Sequence, residues 1–127
     1  MSVFSFIDSI AEVDKESLTA FFTLKGSEEF LKDHFDGFPV MPGVLLLEAL
    51  KQAASRFMEA KTGAKKVFFR IDAVDEIKFG RFVKPGDRIK LFVRRLKKEN
   101  NVDFFEGRVE LDGGRALWAS FGLRPLE

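Results

Sequence analysis

The sequence predicts an α+β domain, and two observations predict it. Val44 to Met58 contains neither Gly nor Pro and is dominated by good helix formers, so it reads as one long helix. From Val67 onward the chain alternates β-rich runs with turn signals, the pattern of an antiparallel meander. One early apolar helix followed by such a meander is an α+β arrangement. At 127 residues, with no repeat, linker or low-complexity segment, residues 1–127 make one domain able to bury a real core.

In chain order, Ile7 to Val13 and Leu18 to Leu24 read as short strands. Asp14-Lys15-Glu16 separates them, and Phe21, Phe22 and Thr23 favour β structure. Gly26-Ser27 breaks the pattern, and Ser27 can cap a short helical turn over Glu28 to Lys32. A loop punctuated by Gly37, Pro39, Pro42 and Gly43 leads into the long helix. Pro42 suits the first helical position, where its missing N–H costs nothing, which puts Gly43 second. Val44-Leu45-Leu46-Leu47 is apolar all round, as in a helix buried by its surroundings. The helix should stop near Gly63, with Lys61 in its last turn and Gly63 as the left-handed terminator.

Val67 to Val74 is the next strand. Phe79-Gly80-Arg81-Phe82 suggests an irregularity or bulge, and Lys84-Pro85-Gly86-Asp87 places Pro and Gly in type II turn positions. Ile89, Leu91 and Val93 recur at every second position, with charged residues at 88, 90 and 94, the period of a half-buried strand. Glu99-Asn100-Asn101 and Asp112-Gly113-Gly114 are hairpin signals around a strand over Val102 to Leu111, and Ala116 to Leu123 is the last strand.

Composition excludes several functions. There is no Cys, hence no disulfide framework, thiol nucleophile or thiolate metal site. A net charge of +1 gives no global field for nucleic acid or a membrane surface. No apolar run reaches spanning length and the N-terminus lacks a signal-peptide pattern, so the expected location is the cytoplasm. Phe occurs 16 times and Tyr never. Most of these rings should fill the core, and a share could line an apolar tunnel.

Three residues near the helix start can carry chemistry. His34 is the only His, on a rigid loop; an imidazole of ordinary pKa, about 6.5, is a usable base near neutrality. Glu48 lies 48 − 34 = 14 residues on. It shares a helix face with Lys51, Gln52, Ser55 and Glu59, which reads as a solvated stripe, while its Leu neighbours point to burial and service as an acid. Gly43 lets a ligand carbonyl approach backbone N–H groups that have no partner within the helix. The run Arg94-Arg95 with Lys97-Lys98 suits a solvated sheet edge or the docking of an acidic partner.

The stretch His34-Phe-Asp-Gly-Phe-Pro-Val-Met-Pro-Gly-Val-Leu-Leu-Leu-Glu48-Ala resembles the signature of the 3-hydroxyacyl-acyl-carrier-protein dehydratases of fatty acid synthesis, most closely the FabZ type. The resemblance continues through Phe69-Arg-Ile-Asp-Ala-Val-Asp-Glu-Ile-Lys-Phe79 and Val83-Lys-Pro-Gly-Asp87. It implies the hotdog fold, a long central helix wrapped by a curved antiparallel sheet. It implies dehydration of a (3R)-3-hydroxyacyl thioester to the trans-2-enoyl thioester, with His34 and Glu48 catalytic. The Gly43 N–H would hold the thioester carbonyl, and Phe35, Met41, Pro42 and Val44 would contact the substrate. It implies no metal or other cofactor, an acyl carrier protein as partner, a homodimer whose sites combine His and Glu from different subunits, and in many members a trimer of dimers. A hotdog thioesterase, a non-catalytic acyl-binding module and the same dehydration in a specialised pathway stay open as alternatives. The sequence departs from the family pattern at Asp33, Asp36 and Lys51.

Overall fold

The computed structural model describes residues 5–25, 40–63 and 69–126. Strands β1 (Ser9–Val13) and β2 (Ser17–Thr23) precede helix α1 (Gly43–Thr62); β3 (Phe69–Phe79), β4 (Arg88–Glu99), β5 (Val102–Leu111) and β6 (Gly114–Pro125) follow it. The strands form one antiparallel sheet in the order β1-β2-β4-β5-β6-β3. His34 and Phe35, the loop from Gly26 to Pro39 with its expected short helical turn, and the expected strand start at Val67 lie outside the described residues.

Local sequence explains the meander. Asn100 and Asn101 have φ of 52° and 65°, and Asp112 and Gly113 have φ of 50° and 78°. Two consecutive left-handed residues make the type I′ turn, whose twist matches the strands it joins. Both hairpins thus close where the sequence signals them, between Glu99 and Val102 and between Leu111 and Gly114. The Lys84–Asp87 turn also forms as expected, with Gly86 at φ 94° and Asp87 N–H donating to the Lys84 carbonyl at 2.9 Å.

Helix α1 touches β2, β3, β4, β5 and β6. Strands sit about 4.8 Å apart, so a flat sheet cannot bring five of them against one helix about 10 Å wide. The sheet therefore curls around α1 and stays open at its β1 and β3 edges: the hotdog wrap. Ala49, Ala53 and Ala54 keep the inner face of the helix thin, and Leu46, Leu50, Phe57 and Met58 fill the space toward the sheet. A Cβ on Gly107 would crowd the Leu50 methyl groups at 3.0 Å, so the missing side chain lets β5 approach the helix. Phe57 meets Phe105 edge-on, with centroids 5.9 Å apart, and Phe105 stacks on Phe121. Fully burying one such ring contributes about 2–3 kcal/mol.

Several expectations shift. Pro42 is the cap residue, with ψ of 142°, and Gly43 is the first helical residue rather than the second. Met41 explains the offset: its N–H is tied to the Val83 carbonyl at 2.8 Å, which holds the chain extended one residue further. Strand β3 runs on to Phe79, five residues past Val74. Register shifts lie inside it, between Ile71 and Ala73 and between Val74 and Glu76, and the regular strand also ends at Phe79, where the sequence suggests an irregularity. Gly80 and Arg81 continue the pairing beyond it, their N–H groups donating to the Ala116 and Arg115 carbonyls at 2.9 and 2.8 Å. Bulges and charged side chains are how an edge strand resists pairing with strangers. The basic run lies at the end of β4: β2 pairs with it only as far as Arg94, so Lys97 and Lys98 stand exposed with β5 on one side alone, a local solvated edge as expected. Arg94 pairs with its cross-strand partner Glu106 at 2.7 Å, and Arg95 binds Glu16 at 3.0 Å.

Candidate active site

The first turn of α1 opens into a cavity. No side chain caps the helix and no acidic residue occupies its first turn. The Pro42 carbonyl accepts from the N–H groups of Leu45 and Leu46, at 2.9 and 3.2 Å. Among the described residues, nothing accepts from the Gly43 N–H. That donor sits at the positive end of a 20-residue helix dipole, where a developing negative charge is stabilised.

The cavity has a volume of about 380 Å³ and an almost wholly apolar lining. Met41, Pro42, Gly43 and Val44 line it from the helix side, Phe79 from the end of β3 and Phe82 from just beyond it. Three residues expected to contact substrate, Met41, Pro42 and Val44, therefore gather at one place with Gly43. The Phe79 ring stands where a Cβ on residue 43 would go, so a larger residue there would have to displace that exposed ring. Sequence reading missed Phe79 and Phe82 as site residues; the two rings flanking Gly80-Arg81 were the available signal. The surplus of Phe thus divides as expected: Phe6, Phe22, Phe57, Phe105 and Phe121 pack the core, and two rings line the cavity.

Glu48 lies a little over one turn further along α1. It is neither buried nor part of a solvated stripe. Its side chain is 35% exposed, and the stripe residues Lys51, Gln52, Ser55 and Glu59 are all half-buried. Both carboxylate oxygens have partners: Gln52 Nε2 donates to Oε2 at 3.1 Å, and Lys51 Nζ stands 3.5 Å from Oε1. The Gln52 carbonyl oxygen in turn accepts the Phe6 N–H at 2.7 Å.

Charge is uneven around the cavity mouth. Arg81 lines both the cavity and an adjoining hollow that it shares with Phe82, Lys84 and Asp87; Arg88 and Lys90 line a third. Among the described residues Arg81, Lys84, Arg88 and Lys90 make no ion pair. Of the nearby carboxylates, Asp87 accepts the Lys84 N–H at 2.8 Å and Glu110 pairs with Arg108 at 3.1 Å, while Asp112, which lines both hollows, makes no ion pair among the described residues. No group of three or more potential metal ligands occurs among the described residues. Nor is any described helix long and apolar enough to cross a membrane.

A six-stranded sheet wrapped on one helix, with an apolar cavity at a bare helix N-terminus, defines the hotdog class, and comparison with known proteins narrows it. The family model for ApeI-like dehydratases matches residues 10–112. FabZ-type 3-hydroxyacyl-acyl-carrier-protein dehydratases are similar across most of the chain. That of Streptococcus thermophilus is 33% identical over 109 residues, 84% of this chain and 76% of the relative. That of Brucella abortus is 36% identical over 113 residues, 87% and 71% of the two chains. Among solved structures, the ApeI:P dehydratase heterocomplex of Xenorhabdus doucetiae superposes with a TM-score of 0.79 at 12% identity, covering 96% of this chain and 83% of that one. An uncharacterised protein of Pyrococcus horikoshii superposes with a TM-score of 0.69 at 14% identity, covering 97% and 85%. The chain belongs to the ApeI-like family of hotdog dehydratases, with FabZ-type enzymes among its relatives.

Proposed function

We propose that this protein removes water from a (3R)-3-hydroxyacyl thioester on an acyl carrier protein, giving the trans-2-enoyl thioester, in cytoplasmic fatty acid synthesis. The observation that carries the reading is the Gly43 N–H at the helix start, without an acceptor among the described residues, on the lining of an apolar cavity, with Glu48 five residues further on. The α-proton of a thioester is a weak acid. Its removal needs the negative charge on the carbonyl oxygen to be held, and a backbone N–H with a helix dipole behind it does that. His34 takes the α-proton. The electron pair then forms the C2–C3 double bond as the C3–O bond breaks, and Glu48, protonated or through a water, returns a proton so that the hydroxyl leaves as water. No metal or other cofactor enters these steps.

Two further observations support the partners. Arg81 at the cavity and Lys84 in the adjoining hollow, neither in an ion pair among the described residues, offer contacts to an acidic carrier. Val44 is 70% exposed and Phe82 65%, and Ile77 and Phe79 extend this apolar surface along the β3 edge. A second copy pairing at that edge would cover it and bring a second His34 to the site, the two-subunit arrangement of a homodimer or a trimer of dimers.

The test is incubation with 3-hydroxyacyl carrier proteins of several chain lengths, with products read by mass. The reading expects a product lighter by one water and still bound to its carrier. Release of free thiol would instead identify a thioesterase, and binding without change an acyl-binding module.

A further inference from the structure

The carboxylate of Glu48 is held from two sides by the next turn of its own helix. Phe6 N–H donates to Gln52 Oε1 at 2.7 Å, which leaves the Gln52 amide only one sensible orientation, with its NH₂ toward Glu48. That NH₂ takes Oε2 at 3.1 Å, and the Lys51 ammonium takes Oε1 at 3.5 Å. Lys51 is not a loose surface cation: its side chain is only 26% exposed, which limits the paths its stem can follow. A single hydrogen bond leaves a carboxyl free to turn about the bonded oxygen. A hydrogen bond on one oxygen and an ion-pair contact on the other restrict that rotation and favour one edge of the carboxyl toward a reacting group.

We propose that Lys51 is a positioning residue for Glu48, the second tether that fixes the presentation of its carboxyl group. This rests on the reading of Glu48 as the group that serves the departing hydroxyl. Lys51 touches no reacting atom; it acts through Glu48. Its loss therefore slows turnover and leaves substrate affinity in place, since misplacing a catalytic group by as little as about 1 Å can cost up to ~10²-fold. The arrangement requires a cation at this point. An arginine reaches and charges the same oxygen, whereas a methionine of similar length does not.

The experiment compares Lys51→Ala, Lys51→Met, Lys51→Arg and Glu48→Gln by steady-state kinetics on one 3-hydroxyacyl carrier substrate, with circular dichroism confirming the fold. Roughly a tenfold lower kcat with KM within about twofold is expected for Lys51→Ala and Lys51→Met, and most of the rate should return in Lys51→Arg. If Lys51→Ala keeps wild-type kcat while Glu48→Gln is inactive, the pair is an ordinary i,i+3 contact; Lys51 has no positioning role and Glu48 keeps its own. A change in KM alone would make Lys51 a substrate contact and overturn the proposal equally. If Glu48→Gln itself turns over at the wild-type rate, the reading of Glu48 fails first and the tether fails with it.

Discussion

At its C-terminal end α1 is closed off. Gly63 takes the left-handed conformation, with φ of 73°, and its N–H returns to the Glu59 carbonyl at 2.9 Å. Thr62 Oγ1 satisfies the Met58 carbonyl at 2.9 Å, and Lys61 sits over the Phe57 ring where the dipole favours a cation. Below it, Arg95 joins Glu16 and the buried Asp103 and covers Phe57. At the N-terminal end the same helix has, among the described residues, no side-chain cap and no acceptor for the Gly43 N–H, and it carries an exposed Val44 and a cavity. The cations divide in the same way. Arg94 and Arg95 pair with carboxylates at one end of β4, while Arg88 and Lys90 at its other end make no ion pair among the described residues. Groups satisfied internally hold the fold together. Groups left unsatisfied at one end are available to a ligand.

The largest expected effect tests the open end. Glu48→Gln should lower the dehydration rate by roughly two to four orders of magnitude, the usual worth of one general acid–base group, with little change in Tm. A folded variant retaining most of its activity would remove Glu48 from the mechanism. Mixing inactive Glu48→Gln subunits with inactive His34→Ala subunits should restore activity after exchange, because each mixed dimer then holds one intact site; a mixture that stays dead after verified exchange breaks the two-subunit site. At the sealed end, Phe57→Ala should cost about 3–5 kcal/mol of stability in denaturant titration, leaving kcat per folded molecule near wild type. A large fall in kcat without loss of stability would erase the distinction between the two ends. Gly63→Ala is the mildest case. Its left-handed φ penalises any Cβ by about 1 kcal/mol, readable as a small drop in Tm with no kinetic change.

What could be read from the sequence was local. The hairpin at Asn100-Asn101, the stop at Gly63 and the turn at Gly86 each demand positive φ, and the residue types announce it. Strand β3 was cut short because its second half, Asp75-Glu76-Ile77-Lys78, is exposed on both faces and shows no clean alternation. The basic run on β4 was legible as charge, but its partners Glu106 and Asp103 come from the next strand, across the register. Glu48 divided the evidence for a similar reason. Lys51 and Gln52 were visible at helical spacing, while the Phe6 N–H that orients Gln52 is 46 residues away. Met41 to Val44 come together at the cavity because a Pro-Gly turn before an apolar helix dictates its own geometry. Phe79, which closes over Gly43 from β3, belongs to the long-range class.

The strand order carries a consequence for how the chain reaches this shape. Strand β3 is made before β4, β5 and β6, yet its sheet neighbour is β6, the last strand of the chain. The β4-β5-β6 meander closes through two tight turns and can form quickly. Strand β3 must wait through about 35 residues of synthesis for its template, and loop closure over that distance is slow. The edge that lines the cavity is therefore the last piece of sheet to be fixed, and pulse-labelled hydrogen exchange should protect the β4–β5 amides before those of β3. Until Gly114 to Pro125 has left the ribosome, a nascent chain with its helix already formed has no finished wall on that side and no site.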